Sequence, residues 1–131
     1  MAYRILLVDD EKDIIETLAP RLQREGYEVS VAFDGQEALD KVKSDNPDVV
    51  ILDLMLPKLD GFAVLERLRK ELNDKWRPVI IMSAKDEMQA WHKCHDLEAE
   101  LYLTKPCTIH DILRGIKTMI ALIPAHKSQP D

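Results

Sequence analysis

The chain has 131 residues, 46% of them hydrophobic, which fits one globular domain with a single core. Its formal net charge of -6 disfavours contact with a phosphate backbone, so we expect no direct nucleic-acid binding. The 2 cysteines are too few for a disulfide framework, and no apolar stretch has the length of a signal-peptide core or a membrane span. Composition therefore favours a soluble, cytoplasmic protein.

The first predicted strand, residues 5–8, is a continuous apolar run that ends at the carboxylates of Asp9 and Asp10. Continuous apolar runs are typical of strands that are buried on both faces of a parallel sheet. A helix should follow, with a kink or a local adjustment at Pro20 and an end at Gly26. Its apolar residues recur with helical spacing at Ile14, Ile15, Leu18 and Leu22.

The second strand has a different pattern, because apolar and polar residues alternate between Tyr27 and Phe33. Alternation indicates that only one face is fully covered, so we place this strand at an edge of the sheet. Asp34, followed three residues later by Glu37, resembles a capping box and predicts the start of a second helix. Asn46 and the proline after it should end that helix.

The third strand, residues 49–52, ends at Asp53. Ligands of open α/β sheets bind beyond the carboxyl ends of the strands, so this carboxylate is a candidate site residue. Pro57 and the Asp60-Gly61 pair indicate a loop. The next apolar residues predict a third helix: Phe62, Leu65, Leu68 and Leu72.

The last two strands are predicted at residues 79–82, which end at Ser83, and at residues 101–103, which end at Thr104 and Lys105. Residues 86–97 between them have the composition of a helix but a weak apolar stripe. We expect this fourth helix to be the least firmly held.

A fifth helix should begin near Thr108 and Asp111, which have the side chains of a helix cap. Residues 124–131 lack periodicity and predict a flexible tail after a domain of residues 1–123. Five strands that alternate with five helices predict a doubly wound α/β fold with a parallel sheet.

The edge position of the second strand gives the order 2-1-3-4-5, which is flavodoxin-like and has its switch point between the first and third strands. Asp9, Asp10 and Asp53 should converge there. Carboxylates at one edge repel one another unless a cation neutralises them, and Mg²⁺ prefers such oxygen ligands. Ser83 adds a hydroxyl and Lys105 a positive charge, so we interpret this edge as a phosphoryl site with Asp53 as the nucleophile.

Four motifs in this order resemble the receiver domain of bacterial two-component response regulators. They are VDDE at 8–11, LDLMLP at 52–57 with DG at 60–61, MSAK at 82–85 and YLTKP at 102–106. The similarity runs without a gap from Arg4 to Leu122.

The resemblance implies that Asp53 accepts a phosphoryl group from a phosphohistidine of a sensor histidine kinase or a phosphotransfer protein. It implies Mg²⁺ ligands from Asp10, Asp53 and the carbonyl of Met55, with Asp9 holding a metal-bound water. We expect no enzymatic activity beyond Mg²⁺-dependent self-phosphorylation from phosphodonors and self-dephosphorylation.

The resemblance also implies that Ser83 bonds one phosphoryl oxygen and Lys105 pairs with another. Tyr102 would be the switch aromatic, and the Lys105-Pro106 peptide would be cis. The output surface would consist of the fourth helix, the fifth strand and the fifth helix, where a protein partner or a second copy of this chain docks. Trp91 is either a core residue or part of that contact surface.

The chain departs from the family around the fourth helix. Residues 98–101 are Glu-Ala-Glu-Leu where receivers commonly have Gly-Ala-Asp-Asp. Cys94 stands where a small residue is frequent, and Cys107 replaces the usual phenylalanine. These changes leave the phosphorylation pocket intact and fall around the fourth helix.

The alternative function is a receiver-like binding module that phosphate does not control. A flavin protein would need hydroxyls and glycines in place of residues 9–11, and a phosphatase would need a second acid at Met55. A metal site at His92, Cys94 and His95 lacks a fourth ligand at suitable spacing. The sequence names neither the kinase nor the output, and a longer regulator is as compatible with it as a single receiver.

Overall fold

The structure, a computed structural model, describes residues 2–84 and 99–123. These residues form a parallel sheet of 5 strands in the order β2-β1-β3-β4-β5. The strands are β1 (Arg4–Val8), β2 (Glu28–Ala32), β3 (Val49–Asp53), β4 (Val79–Ala84) and β5 (Leu101–Lys105). The predicted strand order is confirmed, and the half-exposed β2 lies at the edge as its alternation required.

Helices cover both faces of the sheet. They are α1 (Lys12–Arg24), α2 (Gly35–Asp45), α3 (Gly61–Glu66) and a last helix (Ile109–Ile120). One apolar cluster joins α1 and the last helix to the sheet, and a second cluster joins α2 and α3 to the other face. The fourth helix predicted at 86–97 and the tail predicted at 124–131 lie outside the described residues.

Side chains cap the starts of α2 and the last helix. The Asp34 carboxylate accepts a hydrogen bond from the Glu37 amide, which confirms the predicted cap of α2. The Glu37 side chain, however, accepts from the Phe33 amide and not from Asp34, so the reciprocal half of the predicted capping box is shifted by one residue. Thr108 and Asp111 form a complete capping box at the last helix.

The third helix departs from the predicted spacing at its end. After α3 the chain widens into a π-helical segment, Arg67–Glu71, and the Leu72 amide bonds to the Arg67 carbonyl at 2.9 Å. This wider turn moves Leu72 out of the apolar stripe. Leu65 and Leu68 are buried as predicted, whereas Leu72 is exposed.

Buried charges at the amino ends of the strands are closely paired. The Arg77 guanidinium is buried, pairs with Asp74 and donates to the Asn46 side chain at 2.6 Å. Arg69 is also buried and donates to Glu100 at 3.1 Å. Burial lowers the pKa of Arg77 to about 10, so the guanidinium stays charged at neutral pH.

Within the described ranges, no helix is apolar and long enough to cross a bilayer.

Asp48 lies just before β3 at the amino edge of the sheet, and its side chain is buried. Its carboxylate accepts a hydrogen bond from the Arg4 amide at 2.8 Å. Burial raises the pKa of Asp48, and the Arg4 hydrogen bond and the charge of Arg77 offset this only in part. The folded protein therefore holds the Asp48 proton more tightly than the unfolded chain does.

Replacement of Asp48 by asparagine should show this linkage. A raised folded-state pKa contributes stability that is present below the unfolded-state pKa and is lost as pH rises through the folded-state pKa. Asp48→Asn keeps an oxygen acceptor but cannot ionise, so its unfolding free energy relative to wild type should be higher at about pH 7 than at about pH 4.5. Urea unfolding at both values measures this, and an equal difference at both would contradict the assignment.

Candidate functional site

Four strands deliver polar side chains to the carboxyl edge of the sheet. Asp9 follows β1, Asp53 ends β3, Ser83 lies near the end of β4 and Lys105 ends β5. Because the strands are parallel, their carboxyl ends lie at one edge of the sheet. The pairing register determines which of these residues are neighbours. Val8 pairs with the residue before Asp53, so the two aspartates lie side by side.

A single ammonium group joins the two aspartates. The Lys105 Nζ lies 3.0 Å from the Asp9 Oδ2 and 3.0 Å from the Asp53 Oδ2. It also lies 3.6 Å from the Glu11 Oε1. Asp9 is 0% exposed and Asp53 is 3% exposed, so both carboxylates depend on protein groups and not on bulk water for their partners.

Backbone amides hold the second oxygen of each carboxylate. The Glu11 N–H donates to the Asp9 Oδ1 at 2.9 Å, and the Met55 N–H donates to the Asp53 Oδ1 at 3.1 Å. Each aspartate thus has one oxygen on a backbone amide and the other on the lysine. This arrangement fixes the orientation of both carboxyl groups.

The pKa shifts of Asp53 and Lys105 show that the lysine only partly neutralises the charge of the buried carboxylates. Burial raises the pKa of Asp53; hydrogen bonds from Met55 and Lys105 oppose this rise, and the charge of Asp9 adds to it. Burial would lower the pKa of Lys105, but its hydrogen bonds to Asp9 and Asp53 outweigh burial and raise that pKa above the usual range. Lys105 therefore stays protonated, while burial still disfavours the charged form of Asp53.

The acidic groups are close enough to share a cation. Ligand oxygens of Asp9, Asp10, Glu11 and Asp53 all lie within 4.8 Å of one another. Asp10 and Glu11 are exposed and open the pocket to solvent. An oxygen-only donor set with surplus negative charge fits Mg²⁺. Sequence reasoning did not include Glu11, although it directly follows the two aspartates in the same motif.

The other predicted residues lie around this centre. Ser83 is fully buried on β4, one residue beyond the partner of Asp53. Tyr102 is half-buried and packs on the α2 and α3 side of the sheet, level with Ile81. The Lys105-Pro106 peptide is cis, as the resemblance implied.

A glycine allows α3 to begin against the backbone of Asp53. A Cβ on Gly61 would lie 2.5 Å from the Asp53 carbonyl oxygen and 2.6 Å from the Leu54 Cα. The Gly61 amide donates to the Leu54 carbonyl at 2.9 Å, and Asp60 caps the helix by accepting from the Ala63 amide. Gly61 thus closes the base of the loop after β3, and any residue with a Cβ at this position would force the backbone to shift.

Comparison with known proteins shows the family of this chain. Residues 5–117 match the family model described as the response regulator receiver domain. The chain is 38% identical over 120 residues to "Response regulator MprA" of Mycolicibacterium vanbaalenii. It is 39% identical over 120 residues to "Alkaline phosphatase synthesis transcriptional regulatory protein PhoP" of Bacillus subtilis. Each match covers 92% of this chain but 51% and 49% of the relatives, so the chain spans about half their length.

Solved structures are similar over nearly the whole described fold. The receiver domain of Francisella response regulator 1452 has a TM-score of 0.84 and 34% identity, covering 91% of this chain and 97% of that one. A CheY-like receiver domain protein from Methanospirillum hungatei has a TM-score of 0.87 and 27% identity, covering 92% and 95%. The order of the strands therefore belongs to an architecture that this chain shares with solved receiver domains.

Removal of the lysine should expose the charge imbalance. Without a divalent cation, Lys105→Met leaves two buried carboxylates without a counter-charge, and we expect a loss of about 3 kcal/mol in unfolding free energy. Adding Asp53→Asn to this variant should restore part of the loss. Urea unfolding in a chelating buffer measures both effects. Lys70→Met, which breaks an exposed pair with Glu66, is the control, and an equal midpoint for the two lysine variants would contradict the prediction.

Proposed function

The chain belongs to the response regulator receiver family of two-component systems, and on this basis we propose that it is a signalling switch phosphorylated on Asp53. The observation that carries the proposal is the placement of Asp53. Asp53 ends β3, the middle strand of the sheet, between the strands that carry Asp9 and Ser83. It is buried, belongs to the acidic cluster and lies 3.0 Å from the Lys105 ammonium. A nucleophile, a cation site and a fixed positive charge are the parts that phosphoryl transfer requires.

Receiver domains take their phosphoryl group from sensor histidine kinases or phosphotransfer proteins, and we propose the same class of donor here. An oxygen of Asp53 attacks the phosphorus atom, and the phosphorus–nitrogen bond of the donor phosphohistidine breaks as the new phosphorus–oxygen bond forms. The Met55 amide holds the other carboxylate oxygen, which leaves the oxygen now paired with Lys105 as the attacking atom.

Mg²⁺ fits the pocket, with Asp10, Asp53 and the Met55 carbonyl as proposed ligands and Asp9 on a bound water. When bound, the ion supplies positive charge to the phosphoryl oxygens. Lys105 would then leave the carboxylates and pair with a phosphoryl oxygen, and Ser83 would donate to another. Support for Lys105 comes from its position between the two acids, and for Ser83 from its burial at the same edge.

We further propose that the signal leaves through β5 and the last helix, together with the fourth helix predicted at 86–97, which lies outside the described residues. A protein partner or a second copy of this chain would dock there. Tyr102 on β5 is half-buried, and Leu122 just after the last helix is 57% exposed. To shift such a switch from 1:99 to 99:1, phosphorylation must favour the active state by about 5.5 kcal/mol.

Treatment with acetyl phosphate and Mg²⁺ should give one acyl phosphate on each chain, at Asp53. The reason is that the lysine, the acidic cluster and the amide of Met55 converge on this carboxylate. Mass spectrometry of the intact protein and of its peptides measures the label.

Asp53→Asn is the control and should remain unlabelled, because the amide is not nucleophilic. Label that persists in this variant would refute the assignment to Asp53. No label on the wild type would favour the alternative function, a receiver-like binding module that phosphate does not control.

Phosphorylation should also change the exchange of amide hydrogens in β5 and the last helix, because Lys105 must exchange its partners. Hydrogen-exchange mass spectrometry with and without acetyl phosphate measures this, and Asp53→Asn is the matched control. Changes confined to peptides around Asp9 and Asp53, with Tyr102 and the last helix untouched, would rule out the output surface.

A further inference from the structure

We infer that Gly35, the first residue of α2, is a positioning residue for the reaction at Asp53. It lies on a different element from the pocket, and its role is to hold the tip of the loop that follows β3. This inference rests on the proposed function, because it concerns the position of Met55, whose amide donates to the proposed phosphoacceptor Asp53.

The backbone of the loop lies directly against Gly35. A Cβ at this position would overlap the Leu59 carbonyl oxygen, and it would lie 2.7 Å from the Leu59 carbonyl carbon and 2.8 Å from the Leu59 Cβ. Gly35 is buried in the first turn of α2. Because the obstacle is backbone and not the end of a flexible side chain, any larger residue here must displace the loop or the helix.

A neighbouring contact joins the same two segments. The Lys58 Nζ lies 3.4 Å from the Asp34 Oδ2, and Asp34 is the cap of α2. The Lys58 backbone has a φ of 66°, in the left-handed region that residues with a Cβ rarely adopt. The Lys58 side chain is 72% exposed, so its ion pair contributes little stability. The informative feature is the unusual backbone at the point where the loop meets α2.

The tip of the loop is connected to the acceptor by a short and tightly bonded path. The Leu59 amide donates to the Pro57 carbonyl at 2.7 Å, and the Gly61 amide donates to the Leu54 carbonyl at 2.9 Å. Met55 lies inside this closed loop and donates its amide to Asp53.

Two glycine contacts thus fix the loop, one at its base against Asp53 and one at its tip against α2. A displacement of the tip should move both polar groups of Met55, the amide on Asp53 and the carbonyl proposed for Mg²⁺. Because reactions of this kind depend on positioning, a shift of about 1 Å can cost about a hundredfold in rate.

The test compares Gly35→Ala with Gly115→Ala. Both variants add one methyl group to a helix, but a Cβ on Gly115 meets the end of the Leu101 side chain, which can move. Gly35→Ala should lower the initial rate of acyl phosphate formation from acetyl phosphate by at least about tenfold. It should also weaken Mg²⁺ binding in calorimetry and shift the Met55 amide resonance. Gly115→Ala should change none of these three quantities.

A second pair of variants decides the question if Gly35→Ala does not fold. Lys58→Val and Lys58→Gly both remove the exposed ammonium, but a β-branched residue opposes a φ of 66° and glycine accepts it. Lys58→Val should therefore lose phosphorylation rate and Mg²⁺ affinity, whereas Lys58→Gly should retain both.

The outcomes separate this inference from the proposed function. If the wild type takes no label, both fall together. A labelled wild type together with a folded Gly35→Ala of equal rate and equal Mg²⁺ affinity would overturn the positioning role alone. So would equal behaviour of Lys58→Val and Lys58→Gly. A slower Gly35→Ala with unchanged Mg²⁺ binding and an unchanged Met55 resonance would also overturn it, since those readouts report loop position and not overall stability.

Discussion

One ammonium shared by two buried carboxylates dominates the carboxyl edge of the sheet. The Lys105 Nζ lies 3.0 Å from an oxygen of Asp9 and of Asp53, and burial strengthens both attractions. Burial also strengthens the repulsion between the carboxylates, and a single ammonium cannot balance them together with the nearby Asp10 and Glu11. A divalent cation fits this surplus. Such a cation would also reduce the repulsion between these carboxylates and the proposed anionic phosphoryl donor. The same imbalance therefore links metal binding to the proposed reaction.

At the amino edge of the same strands, the buried arginines have partners of opposite charge or carbonyl acceptors. Glu100 accepts both from Arg69 at 3.1 Å and from the Val79 amide at 2.9 Å. Glu100 stands where receivers commonly have an aspartate, so a carboxylate is retained at this position. It joins the π-helical segment after α3 to the start of β4.

The sequence predicted those features that depend on local periodicity. Continuous apolar runs gave the inner strands, alternation gave the edge strand, and the strand ends gave Asp9, Asp53, Ser83 and Lys105. It placed these residues at one edge of the sheet, but it did not predict which atoms of distant segments contact one another. The lysine bridge to Asp9, the π-helical turn at Arg67–Glu71 and the approach of the β3 loop to α2 leave no periodic trace, because each depends on how elements pack. A glycine can signal such a contact, but its partner is visible only in three dimensions.

The two strands that carry the central charges differ in how freely they can respond. β3 is buried along its whole length and is hydrogen-bonded to β1 and β4. Within the described part of the chain, β5 is an edge strand bonded to β4 and half-exposed, yet it carries Lys105 and Tyr102. A movement of β5 breaks fewer hydrogen bonds and uncovers less apolar surface than a movement of β3. A change of charge at Asp53 should therefore leave the acceptor strand in place and move the strand that holds its counter-charge.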